Sequence, residues 1–196
     1  MSRRAAGAPR RLAVIGDMPH HRDAEGRVWG LEPVVAQLDR WAELFDELVL
    51  CGPLLPGPPP SGFRPYANPE VSLVELRRAG GNTLLAKLGL LPRIPGWFRA
   101  TRRLARSVDA VHLRCPCNIG LVAIASTWRA APYRYAIYAG VWHDYEGEPR
   151  FFRLQRRLLA SRWFGGPVSV YAGPDARRPH LEPFFSPSFD EADWRR

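Results

Sequence analysis

Two stretches of this sequence set ionisable side chains side by side in turns. The first, GDMPHHRDAEG (16–26), places Gly16, Asp17, His20, His21 and Gly26 directly after an apolar run. The second, GVWHDYE (140–146), places His143 beside Asp144 after another apolar run. A histidine next to carboxylates suits general acid–base work, since such neighbours tune an imidazole across neutral pH. Each stretch also has a plainer reading. The first is then an exposed polar loop; in the second, Trp142 and Tyr145 pack while His143 and Asp144 cap the helix that follows. A third group, His112, Cys115 and Cys117, has metal-binding residue types. Zinc sites prefer two or more residues between paired cysteines, and Cys115-Pro116-Cys117 has one, so no metal ligand set is assigned.

These turns need strands to hold them. The apolar runs 110–113 and 133–139 flank a segment of helix-like composition, 119–130, and each run ends in a polar or glycine-bearing turn. Strand, turn, helix, strand, turn is the pattern of a parallel βαβ unit. RLAVIG (11–16) and ELVLC (47–51) read as the first two strands, with a long loop over 17–30 and helical spacing over 29–43 between them. The proline- and glycine-rich 54–69 is a loop with a short extended piece at 63–66; 71–76 is a third strand. Short helices are expected at 83–91 and 96–107, the second with a basic face of Arg99, Arg102, Arg103 and Arg106. PRFFRLQRRLLASRW (149–163) is a basic amphipathic helix, 168–171 a last strand, and 174–196 a polar, proline-broken tail. The expected fold is α/β, a Rossmann-like open, mostly parallel sheet with helices on both faces. In such sheets ligands bind at the carboxyl ends of the strands, where the two histidine-bearing turns fall.

The totals narrow the function. A chain of 196 residues with 46% apolar content suits one globular α/β domain. No apolar run approaches the ~20 residues that span a bilayer, and the basic N-terminus lacks the apolar core of a secretory signal. Three cysteines make no disulfide framework, so a cytoplasmic, reduced protein is the expectation. A net charge of +9 points to an anionic partner. Lys87 is the only lysine among 28 basic residues, and the arginines are spread along the chain, which argues against nucleic acid. The 150–163 helix either lies on an anionic membrane, as a peripheral contact at its inner face, or packs on the core with a wet outer side.

Taken together, RLAVIGD, the polar glycine-bearing loop behind it, the helix around 33–44, VDAVHLRCPCNIGLVAIA and YAGVWHDY resemble the N-terminal domain of glycosyltransferases of the GT-B fold, family 4 type. The resemblance spans roughly 11–172, with 1–10 as a flexible basic arm and 174–196 leading toward a second domain that is missing. It implies an acceptor-side domain, no cofactor, and a nucleotide-sugar co-substrate held mainly by that second domain; the chain is then a fragment, one half of a two-chain enzyme whose donor domain is a protein partner, or a domain that has lost catalysis. By position, Gly16, Asp17, His20, His21 and Gly26 would border the cleft near the donor phosphates. His143 or Asp144 would fall at the active-site acid–base position, and Arg114 and Asn118 would line the side of a glycan or lipid-linked acceptor. This chain alone is then expected to transfer no sugar. The competing expectation is a non-catalytic module that binds lipid headgroups or nucleic acid through its arginine faces. A small-molecule binder of flavodoxin type fits the fold too, but neither GxGxxG nor a GxxxxGK[ST] phosphate loop is present.

Overall fold

Leu12, Ala13, Val14 and Ile15 are all buried, which a strand achieves only when both of its faces are covered. In the computed structural model, which describes residues 10–77, 91–172 and 178–184, they form β1 (Arg11–Ile15) at the interior of a seven-stranded sheet. The other strands are β4 (Glu47–Gly52), β6 (Val71–Glu75), β7 (Ala110–Cys115), β8 (Tyr133–Tyr138), β9 (Val168–Val170) and β10 (Leu181–Pro183). Their order is β10-β9-β8-β7-β1-β4-β6, and every neighbouring pair is parallel. The sheet is open and Rossmann-like. After β1 the chain builds outward on one side through β4 and β6, then returns to build the other side from β7. The reversal lies between β1 and β7, where Ile15 pairs with Leu113, and opens a crevice at the carboxyl ends of those strands.

Alternation along the strands sorts the core into two layers. Ala13, Ile15, Val49, Cys51, Val111 and Leu113 join one cluster, covered by α2 (Ile94–Arg106), α3 (Gly120–Ser126) and α4 (Arg150–Ala160). Leu12, Val14, Leu48 and Leu50 join the other, against Val35 and Leu38 of α1 (Glu32–Asp39). Both α1 residues are fully buried, and each contributes about 1.5–3 kcal/mol by leaving water. Helix α2 buries Trp97, Thr101, Leu104 and Ala105 at helical spacing, while Arg99, Arg103 and Arg106 of its basic face are exposed. Helix α4 buries only Gln155 and Leu159, and its Leu154 is 47% exposed. Among the described residues no helix is long and apolar enough to cross a membrane.

The structure departs from the sequence expectation in several places. The stretch 17–30 is not one loop. It contains β2 (His21–Arg22) and β3 (Val28–Leu31), which pair antiparallel with each other and, through β3, with β5 (Phe63–Pro65). The tight turn between β2 and β3 is closed by Asp23, whose carboxylate accepts from the Arg27 backbone (2.8 Å), with Gly26 at φ +84°. Helix therefore begins at Glu32, not near 29, and is followed by a 3-10 turn, Arg40–Glu43. The polar tail contains β10, an edge strand too short to carry a pattern. The helix expected at 83–91 lies, save for Leu91, outside the described residues, as do the arm at 1–9 and the chain beyond 184.

Candidate functional site

The crevice at the strand reversal is built by two loops that reach across it. Beyond β1, the Gly16 amide donates to the Cys51 carbonyl (3.1 Å), and the chain then passes over the end of β4. That passage needs Gly52 to lack a side chain: a Cβ there would stand 3.0 Å from the Gly16 oxygen and 3.2 Å from that of Met18. Beyond β7, the Asn118 backbone N–H (3.0 Å) and side-chain Nδ2 (3.1 Å) both donate to Oδ2 of Asp17. One carboxylate oxygen thus joins the two loops; Oδ1 carries no hydrogen bond among the described residues.

The β7 loop is held from behind by α4. Gln155, fully buried, donates through Nε2 to the Cys117 carbonyl (2.8 Å) and accepts at Oε1 from the Cys117 N–H (3.2 Å). This amide-to-peptide match fixes the segment that presents Asn118. It also requires glycine at position 120, where a Cβ would meet Gln155 Oε1 at 2.1 Å.

Between the loops lies a cavity of about 140 Å³ lined by Gly16, Asp17, Pro53, Leu76, Arg77, Trp97, Asn118 and Ile119. A carboxylate and an amide that accept and donate, a guanidinium, and an indole form a set that recognises hydroxyl groups on a compact body. The carboxylate at the first strand's turn opposes the phosphate that Rossmann turns bearing glycine loops would take there.

Of the residues singled out from sequence, the structure brings Gly16, Asp17 and Asn118 together. His20 is 1% exposed and belongs to the core. Its backbone bonds Pro53 and Leu55, its Nε2 lies 3.3 Å from the Tyr66 hydroxyl, and burial pushes its pKa down to about 4. His21 is buried edge-on to Phe63, with Nδ1 3.2 Å from the Gly57 carbonyl. Gly26 sits at the exposed hairpin tip, outside the cavity lining. Arg114 lies on the α1 side of the sheet, bonded to Gln37 (2.5 Å).

His143 and Asp144 lie in the exposed loop after β8. Asp144 hydrogen-bonds Arg156, which holds its carboxyl below the usual range, and Arg156 also binds the buried Glu148 (3.0 Å). This loop adjoins the β7 loop, since a Cβ on Gly140 would stand 3.1 Å from Pro116 Cδ. His112 projects to the opposite sheet face from Cys115 and packs against Tyr135 (ring centroids 4.8 Å apart) and Trp41 (5.8 Å). The Cys117 thiol is pushed up by its hydrogen bond to Cys115 and by burial. Among the described residues no three metal-ligating side chains converge.

Sequence reasoning missed Arg77, Trp97 and Gln155. Arg77 follows β6 closely, so the strand-end rule applied to that strand would have found it. Gln155 stood out as the polar residue one turn before Leu159 on the buried row of α4. Trp97 carried no signal beyond core spacing. A larger apolar hollow, about 600 Å³ and including Leu12, Trp41, Phe45, Ala110 and Tyr133, opens at the amino ends of the strands, away from these loops. Comparison of the chain with family models, curated protein sequences and solved structures gives no match.

Proposed function

We propose that this chain is the acceptor-side domain of a GT-B-type glycosyltransferase, and that the cavity at the strand reversal seats a hydroxyl-bearing sugar. The observation that carries this reading is the pairing of Asp17 with Asn118 across the crevice, beside Arg77 and Trp97 and without a phosphate loop. Planar carboxylate and amide groups match vicinal hydroxyls in donor and acceptor count, and the indole supplies an apolar wall. In this reading His143, on the adjoining loop, takes the proton of the acceptor hydroxyl. Asp144, kept anionic by Arg156, stays a structural carboxylate. A leaving nucleoside diphosphate needs positive charge aimed at it. In this reading a donor-binding domain or partner holds the nucleotide-sugar, and this chain by itself is expected to turn none over. The anion-binding alternative is weakened because two cations of the α4 face, Arg153 and Arg156, are spent on Glu148.

The test is binding of free mono- and oligosaccharides to the full chain, followed by saturation-transfer NMR. The expected result is a saccharide that binds the wild type and is lost in Asp17→Ala. Equal signals from wild type and Asp17→Ala, or none from any saccharide, would refute the assignment.

A further inference from the structure

A different residue at the same edge of the sheet is electrostatically incomplete. Arg114 is the penultimate residue of β7 and stands in register with Ile137 of β8, which in turn faces Ser169 of β9. Its guanidinium makes one hydrogen bond among the described residues, to the neutral amide of Gln37 on α1. No described carboxylate lies within ion-pair reach of it. Its titratable neighbours are the hydroxyls of Tyr66, Tyr135 and Tyr171, and burial works against its charge. The carboxylate in its own register row, Glu182 of β10, is three strand spacings away, about 14 Å.

Arg134 shows what a purely structural arginine looks like in this fold. Its two terminal nitrogens donate to the Ile124 (2.7 Å) and Phe164 (2.9 Å) carbonyls, and its guanidinium lies over the Phe164 ring (4.4 Å). Arg114 makes one hydrogen bond where Arg134 makes two, and its unspent N–H groups are not sealed from solvent, unlike Arg134 Nε. A half-buried fork with donors open to solvent can give charge-assisted, bidentate hydrogen bonds to an anion that reaches it.

The surroundings fit that need. The Tyr135 hydroxyl donates to Ser169 Oγ (2.9 Å), which leaves the Ser169 proton uncommitted. Tyr171, the residue after β9, is 45% exposed. One residue row below, His112 is 1% exposed with neither ring nitrogen partnered, so the polar groups of this face remain unsatisfied beneath the site as well. Gly16 backs the arginine: a Cβ on it would stand 3.3 Å from Arg114 Cβ. Gly16 also lines the hydroxyl-binding cavity, together with the next residue, Asp17.

We propose that Arg114, with Gln37, Ser169 and Tyr171 around it, forms an anion subsite that takes the phosphate group of a soluble phosphorylated sugar. The sugar part rests on the hydroxyl-binding reading above; the phosphate part rests on the surroundings of Arg114 alone.

The experiment is calorimetric titration of the full chain with inorganic phosphate, glucose 6-phosphate and vesicles of phosphatidylcholine doped with phosphatidic acid. Wild type is compared with Arg114→Gln and with Arg103→Gln, which removes an equal charge from the exposed face of α2. Wild type and Arg103→Gln should bind inorganic phosphate alike, and Arg114→Gln at least ~10-fold more weakly, as for loss of a charge-assisted pair. Without phosphate, Arg114→Gln should melt at or above the wild-type temperature, because it removes an uncompensated cation; phosphate should then raise the wild-type Tm only. Arg114→Lys, which keeps charge but not the fork, must show the weakened binding as well.

Phosphate binding that survives in Arg114→Gln or Arg114→Lys overturns the site. So does a phosphate-independent fall in Tm, which marks a structural arginine. Binding to vesicles but to neither soluble phosphate overturns the choice of ligand. Inorganic phosphate carries no sugar and Asp17→Ala is read with phosphate-free saccharides, so either assignment can fail without the other.

Discussion

Replacing Gln155 by leucine tests how the β7 loop is held. The change keeps roughly the volume of the side chain and removes both of its hydrogen bonds to Cys117. The two losses are unequal. The Cys117 carbonyl still accepts from the Gly120 amide (3.0 Å), whereas no other described acceptor takes the Cys117 N–H. One buried donor is therefore orphaned, at ~1–3 kcal/mol, and one redundant bond is lost at little cost. A destabilisation of about 2 kcal/mol follows, or a fall in Tm of roughly 4–8 °C for a chain of this length. Equilibrium urea unfolding followed by circular dichroism measures it, and the m-value should stay at the wild-type figure. Gln155→Glu supplies the control of sign. An ionised carboxylate can accept from the Cys117 N–H but faces the Cys117 carbonyl without a proton to give. It should be the worse variant at neutral pH and recover on acidification. If Gln155→Leu unfolds within ~0.5 kcal/mol of wild type, the clamp does not hold the loop and the reasoning fails.

Gly52→Ala is expected to cost about 1–3 kcal/mol, because its methyl meets two backbone oxygens of the β1 loop; Gly16→Ala, which meets mainly the Arg114 Cβ at 3.3 Å, should cost less. Thermal melts that rank the two the other way would show that the β1 loop yields freely. His20 sets a pH dependence: its folded pKa lies near 4 against 6.5 in the unfolded chain, so the unfolded state takes the proton first. Stability is full above pH 6.5 and falls by ~3 kcal/mol as pH drops toward 4, with His112 acting in the same direction. His20→Gln should flatten that slope, and urea midpoints from pH 7 to 4 that run parallel in both proteins would contradict it.

Much of the main sheet was legible because its strands are short apolar runs ended by glycine or proline. RLAVIG, ELVLC and the runs at 110 and 133 each became a strand, and their alternation with helices implied a parallel sheet. The hairpin of β2 and β3 was not legible, since its pairing is fixed by a side chain, Asp23, and by a partner strand more than thirty residues on. The histidines at 20 and 21 resembled loop chemistry for the same reason, as burial depends on that small sheet. Asp17 and Asn118 were found by applying the strand-end rule and the family resemblance to β1 and β7. Their bond, and the role of Gln155 behind it, depend on contacts that sequence distance hides.

That bond has a consequence for how the protein is made. Asp17 and Asn118 are 101 residues apart, and the Arg11 amide is likewise tied to Asp109, 98 residues on. Because β1 is interior yet precedes both of its neighbours in the chain, it leaves the ribosome with Leu12 and Val14 on one side of its backbone, Ala13 and Ile15 on the other, and its later neighbour β7 unmade. At ~5–20 residues per second, its second edge waits on the order of five to twenty seconds for β7. During that interval an apolar strand edge is open to any other strand, and the crevice does not yet exist. The crevice therefore forms only once residue 118 has been made, 101 residues after Asp17, and a nascent chain released before that point carries the exposed edge without the cavity.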